Sequence, residues 1–78
     1  MDIDNLVRMA NQIGEFFSAF PDREEAKSSI AMHIQKFWEP RMRLLMVDSL
    51  TTDKVKDLTP LVHESLTAHA ASLRPKHL

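Results

Sequence analysis

Phe37-Trp38-Glu39-Pro40-Arg41-Met42-Arg43 sets the only tryptophan of the chain close to a proline, and its reading decides where one helix stops and the next begins. The residue before a proline is pushed out of the helical region, while proline itself suits the first position of a helix, where its missing N–H costs nothing. The stretch therefore predicts a corner, with one helix ending near Trp38 and another starting at Pro40. It also gathers an aromatic pair, an acid and two arginines, and Trp and Arg are the side chains that most often anchor interfaces.

Working upstream, Asp22 followed by Glu25 is a capping-box-like start for a helix over 23–38. Its inward stripe would be Ala26, Ile30, Ile34 and Phe37, with Trp38 on one flank and His33 on the other. Pro21 closes an earlier helix over 4–20, capped by Asp2 or Asp4 and striped by Ile3, Leu6, Val7, Ala10, Ile13, Phe17 and Phe20 at helical spacing. Downstream, a third helix over 40–50 stops before Thr51-Thr52-Asp53. A short helical turn near 53–58 follows, and Thr59-Pro60 restarts a last helix over 60–73 along Val62, Leu66, His69 and Leu73. No segment sustains period-two alternation, so strands are not expected. The fold class is all-α: a small single-domain bundle of three to four helices over residues 1–73, with 74–78 as a flexible tail.

Composition bounds what such a bundle can do. A chain of 78 residues allows one domain whose core supplies only about 3–5 kcal/mol. There is no cysteine, which removes disulfides and thiolate-held iron–sulfur clusters as supports. Idealised packing, a histidine metal site or association remain. The net charge of −1 comes from interspersed acids and bases, unlike the basic stripe of a nucleic-acid binder. No apolar run approaches the roughly 20 residues of a membrane span, and the first residues lack a secretory pattern. The cytoplasm is the expected location.

Apolar residues exceed what the core needs. Helix 4–20 carries a second flank, Met9 and Phe16, bordered by Asn5 and Gln12, so its apolar arc spans about half the circumference against the usual ~100°. In helix 40–50, Met42, Leu44, Leu45, Met46, Val47 and Leu50 point nearly all round, interrupted by Arg41, Arg43 and Asp48. A helix apolar on every side must be covered on every side, and a chain this small lacks the mass to do it. Part of this surface is expected to meet another polypeptide, either a second copy, as a homo-oligomer of the isolated chain, or a different subunit.

Chemistry of its own is not expected. His63 and His69 lie on different faces of one helix, His33 comes from another and His77 from the tail, which is poor spacing for a metal. His69 reads better as a hydrogen-bonded core histidine. Glu39 is the one carboxylate beside a large aromatic, yet it is equally placed to cap the helix begun by Pro40 or to pair with Arg43. No phosphate loop, nucleophile–base pair or dinucleotide fingerprint occurs. Arg41 and Arg43 sit in a helix's first turn, where the macrodipole disfavours cations, so they suit an acidic partner group as well as plain solvation. The partner-binding candidates are Met9, Gln12, Phe16 and Trp38, together with Glu39, Arg41, Met42, Arg43, Leu45 and Met46.

Asn5-Leu6-Val7-Arg8-Met9-Ala10-Asn11-Gln12-Ile13, Phe16-Phe17, His33-Ile34 and Phe37-Trp38-Glu39-Pro40-Arg41-Met42-Arg43 together resemble the delta subunit of soluble NAD-dependent, molybdenum-containing formate dehydrogenases. The resemblance covers about the first 48 residues well, and Leu58-Thr59-Pro60-Leu61-Val62 with the helix after it less distinctively. Leu44 to Lys56 departs most from the family. The resemblance implies a non-catalytic accessory subunit of a cytoplasmic oxidoreductase complex, whose large catalytic subunit is the partner. The molybdenum cofactor, iron–sulfur clusters and FMN would belong to the larger subunits, with none bound here. A transient assembly or maturation factor for molybdenum cofactor insertion, and a self-associating helical module, are the alternatives.

Overall fold

The computed structural model describes residues 1–77, which form five α-helices and one 3-10 turn without a strand. Helix α1 spans Ile3–Phe17. Asp2 starts it from an extended backbone, its carboxylate accepting the Asp4 N–H at 3.0 Å and so satisfying one of the orphan donors of the first turn. The helix ends at Phe17 rather than at the expected Phe20. Ser18 Oγ donates to the Glu15 carbonyl at 2.7 Å, occupying the acceptor that a further helical residue would need. The Phe20 N–H then closes a turn on the Phe17 carbonyl at 3.0 Å.

Helix α2 spans Arg23–Phe37 and is capped by Asp22, whose carboxylate accepts the Glu24 and Glu25 N–H groups at 2.9 and 3.3 Å. At Trp38 the backbone becomes extended (φ −86°, ψ 141°) and stays out of the helical region at Glu39 (φ −60°, ψ 151°), as the residue before Pro40 must. That departure reverses two expected roles. Trp38, expected on a flank, joins the core at 6% exposure, whereas Phe37, expected inward, is 71% exposed. Phe37 is still helical and faces the gap between α1 and α2, while leaving the helix turns the indole inward, into the same cluster as Ile34 and Met46.

Helix α3 runs over Pro40–Ser49 with proline in its first turn, and Glu39 gives it a backbone cap but no side-chain hydrogen bond. The expected capping by the Glu39 side chain therefore does not occur, nor does an ion pair with Arg43 among the described residues. α3 was the helix expected to need an external cover, and the chain covers it internally. Met46, Val47 and Leu50 are buried, and Met42, Leu44 and Leu45 are half-buried. α1, the 3-10 turn and α5 pack around it. At only 10 residues, α3 is short enough for three neighbours to enclose.

The 3-10 turn occupies Asp53–Val55, shorter than the expected 53–58, and is capped by Thr52 Oγ1 on the Lys54 N–H at 3.2 Å. Val55 and Leu58 pin this connection to the core. Asn11 clamps it from α1, donating to the Asp57 carbonyl at 2.9 Å and accepting the Thr59 N–H at 3.0 Å. The last expected helix, 60–73, is two: α4 over Pro60–Ala68 and α5 over Ala70–Leu73, bent at His69 (φ −109°, ψ 17°). The bend lays α5 against α2 and α3 and leaves Leu73 1% exposed. Beyond it, Arg74 pairs with Asp48 at 2.8 Å; of the expected tail 74–78, Leu78 lies outside the described residues.

The core centres on Ala10, Ile30, Ile34, Val62 and Leu66, each at most 1% exposed. α1 and α4 approach so closely at Gly14 that a Cβ there would collide with Val62 Cγ2. Across the other side of α4, the fully buried Ser65 donates from Oγ to the Lys27 carbonyl of α2 at 2.6 Å, which satisfies a hydroxyl that burial alone would penalise. The radius of gyration, 11.3 Å, matches the ~11.5 Å of a compact chain of this length.

Candidate functional site

An open apolar surface lies between α1 and the C-terminal half of α2. Met9, Gln12, Ile13, Phe16 and Phe17 of α1 face His33, Phe37 and Trp38 across a groove of about 570 Å³. Trp38 is its floor, since it belongs to the core yet lines the groove. Phe16 and Phe37 are its exposed walls, both 71% accessible, and Met32 adjoins them at 54%. Phe16 stands edge-on to Phe17 with centroids 5.0 Å apart, and Phe17 to Phe20 at 5.4 Å. His33 sits 6.2 Å from Phe17 and 4.8 Å from Phe37. Phe16, Phe17 and Phe20 thus meet edge to face and Phe37 meets His33 at a tilt, favourable ring contacts that leave both walls exposed.

Four of the ten sequence-derived candidates, Met9, Gln12, Phe16 and Trp38, come together here. Six do not. Glu39 and Arg41 are exposed on the corner, Met42 and Leu45 pack half-buried against the core, and Met46 is part of it. Arg43 reaches back along α2, its Nη1 donating to the Gln35 carbonyl at 3.0 Å. Cations are favoured at a helix C-terminus, where carbonyls lack intrahelical donors. Arg43 thus serves the corner itself, an internal use beside the acidic partner group and the plain solvation that the sequence left open for it. Its Nε is buried without a hydrogen-bond partner.

Phe37, His33, Ile13 and Phe17 are groove residues that sequence reading assigned to the core stripe or to its flank. The i, i+4 spacing of His33 and Phe37 was the available signal, because it puts both rings on one face at the end of a helix. The other histidines have local partners or none in common. His63 Nε2 lies 3.2 Å from the Leu50 carbonyl oxygen. His69, expected as the hydrogen-bonded core residue, is half-buried at the bend and uses its main-chain carbonyl, which accepts from Ser72 Oγ at 2.9 Å. Among the described residues no three His, Asp or Glu side chains converge as a metal site would require.

Glu64, whose carboxylate accepts from Arg23 Nη2 at 2.7 Å, has its pKa lowered, first by that hydrogen bond; the pair bridges α2 and α4 on the far surface. The arrangement at the groove offers shape, apolar area and aromatic edges.

A family model described as NADH-dependent formate dehydrogenase delta subunit (FdsD) matches residues 5–66 of the chain. The matched span includes every groove residue. No curated protein and no solved structure matches the chain. No described helix is long and apolar enough to cross a membrane.

Proposed function

The chain belongs to the NADH-dependent formate dehydrogenase delta subunit family, and from that premise we propose that it is a non-catalytic accessory subunit which docks, through the α1–α2 groove, on the large catalytic subunit of a cytoplasmic formate dehydrogenase. Its role there is to support the stability, assembly or activity of that subunit. The observation that carries this reading is the pair of phenylalanines, Phe16 and Phe37, held 71% exposed beside one groove. Their cost in water is an advantage only if a partner covers them, and patches of this kind mark interaction sites.

The molybdenum cofactor, iron–sulfur clusters and FMN belong to the larger subunits on this reading. The donor set of this chain agrees with that division, since it has no thiolate to offer a cluster. Co-purification tests the proposal. Enzyme isolated from the native cytoplasm in active form is expected to contain this chain in stoichiometric amount with the large subunit. An active enzyme from which the chain is lost, without effect on stability or turnover, would overturn it. Loss on maturation combined with poor cofactor loading in its absence would make the chain a transient assembly factor.

A further inference from the structure

The open surface is two hollows sharing a wall. The larger, about 570 Å³, lies against Met9, Ile13 and Phe16, and the smaller, about 270 Å³, lies against Ser29, Met32 and Lys36. Phe17, His33 and Phe37 line both and separate them. Adjacent apolar hollows divided by one layer of rings fit side chains that recur at i and i+3 or i+4 on a docking helix, the pattern by which amphipathic helices enter grooves.

Charge and area narrow the occupant. Lys36 is the one charged side chain lining either hollow; it is exposed and forms no ion pair among the described residues. No carboxylate lines either hollow: Glu15 lines the cleft with Lys54 and Lys56, Glu24 pairs with Lys27 at 3.0 Å, and Glu39 is exposed on the corner beyond Trp38. A cation at the rim of an apolar groove with no carboxylate lining it asks for an acidic residue on the ligand. Phe16 and Phe37 at 71% and Met32 at 54% exposure present together about 400 Å², half of the ~800 Å² per partner of a standard interface. That area suits one inserted helix better than a globular face. A second copy suits it poorly, because an isologous contact uses the same patch twice and would set two Lys36 cations against hollows that no carboxylate lines.

Resting on the reading of the chain as a docked subunit, we infer that the paired hollows bind an amphipathic helix of the partner polypeptide, with two large apolar side chains one turn apart and an acidic residue on the flank that faces Lys36. The test places photoreactive p-benzoylphenylalanine at Phe37 in the full chain within the assembled complex and maps the crosslink by mass spectrometry. The crosslink is expected on a helical segment of the large subunit that carries an acid within one turn. Lys36→Glu is expected to weaken binding to the purified large subunit about tenfold, and changing the mapped acid to lysine should restore it. Phe37→Ala should weaken binding about thirtyfold. Both positions are exposed, and circular dichroism verifies that the variants fold.

A complex that forms normally with Lys36→Glu, or a crosslink on an acid-free segment, would overturn the inference while leaving the accessory-subunit reading intact. Crosslinks between copies together with a sedimenting dimer would overturn it in favour of self-association. Failure of any complex to form from native components would remove both.

Discussion

α1 meets α4 and α2 on opposite terms. Against α4 it is closed: Gly14 leaves no room for even one methyl beside Val62, and Val62 and Leu66 are fully buried. Against the C-terminal half of α2 it is open, with Met9, Ile13 and Phe16 facing His33 and Phe37 across a groove. Both regions draw on the same broad apolar arc of one helix. The difference teaches that the arc is divided between two tasks, one flank spent on folding the chain and the other left for something outside it.

The boundary between the two tasks is Trp38, and its removal is expected to have the largest effect. Trp38→Ala should destabilise the chain by about 3–5 kcal/mol, comparable to all that a core of this size supplies, so the cooperative transition in urea should be largely lost. A shift no larger than that of a surface substitution would put the indole on the groove side of the division.

The closed seam is tested next. Gly14→Ala gains up to about 1 kcal/mol in helix propensity but should lose about 1–3 kcal/mol to overpacking, because Val62 is β-branched, fully buried and unable to swing aside. Net destabilisation is expected in thermal melts. In a Val62→Ala background the collision is gone, and Gly14→Ala should become neutral or stabilising. Destabilisation of equal size in both backgrounds would show that the seam is not where the contact is tight.

The open side should answer in the reverse sense. Phe16→Ser and Phe37→Ser are expected to leave stability within about 0.5 kcal/mol of the parent and to abolish high-affinity association with the large subunit. A large loss of stability would break the comparison by making the groove part of the core.

The smallest effect belongs to the Arg23–Glu64 bridge, which lies on neither flank. Glu64 has its pKa lowered in the folded chain by the Arg23 hydrogen bond, so its contribution is present above the unfolded carboxylate pKa and is lost as pH falls through the folded one. Both groups are about half exposed, so screening keeps the contribution slight. Glu64→Gln should lower the melting temperature marginally at pH 7 and not at all near pH 2. A gap that persists in acid would assign the effect to packing.

Much of this division was legible in residue spacing. Proline and aspartate placed the starts of α2, α3 and α4, and the second flank of Met9 and Phe16 announced that α1 had apolar surface to spare. Two things were not legible. The exchange of Phe37 and Trp38 depends on the chain leaving the helix one residue before Glu39, and a helical wheel continues through that point as though the helix did. The bend at His69 has no breaker in Ala68-His69-Ala70-Ala71, because it is imposed by α5 packing on α2 and α3. The excess of apolar residues was real but was assigned mainly to α3. A wheel counts faces without knowing that the 3-10 turn and α5 would come back to cover them.

Amide hydrogen exchange, measured on the chain alone and in complex with the large subunit, tests the central claim most directly. The account predicts that α3 and α4 are already protected in the free chain, and that binding adds protection to residues 9–17 and 32–38. Added protection confined to α3, or spread over α4 with the groove unchanged, would contradict it.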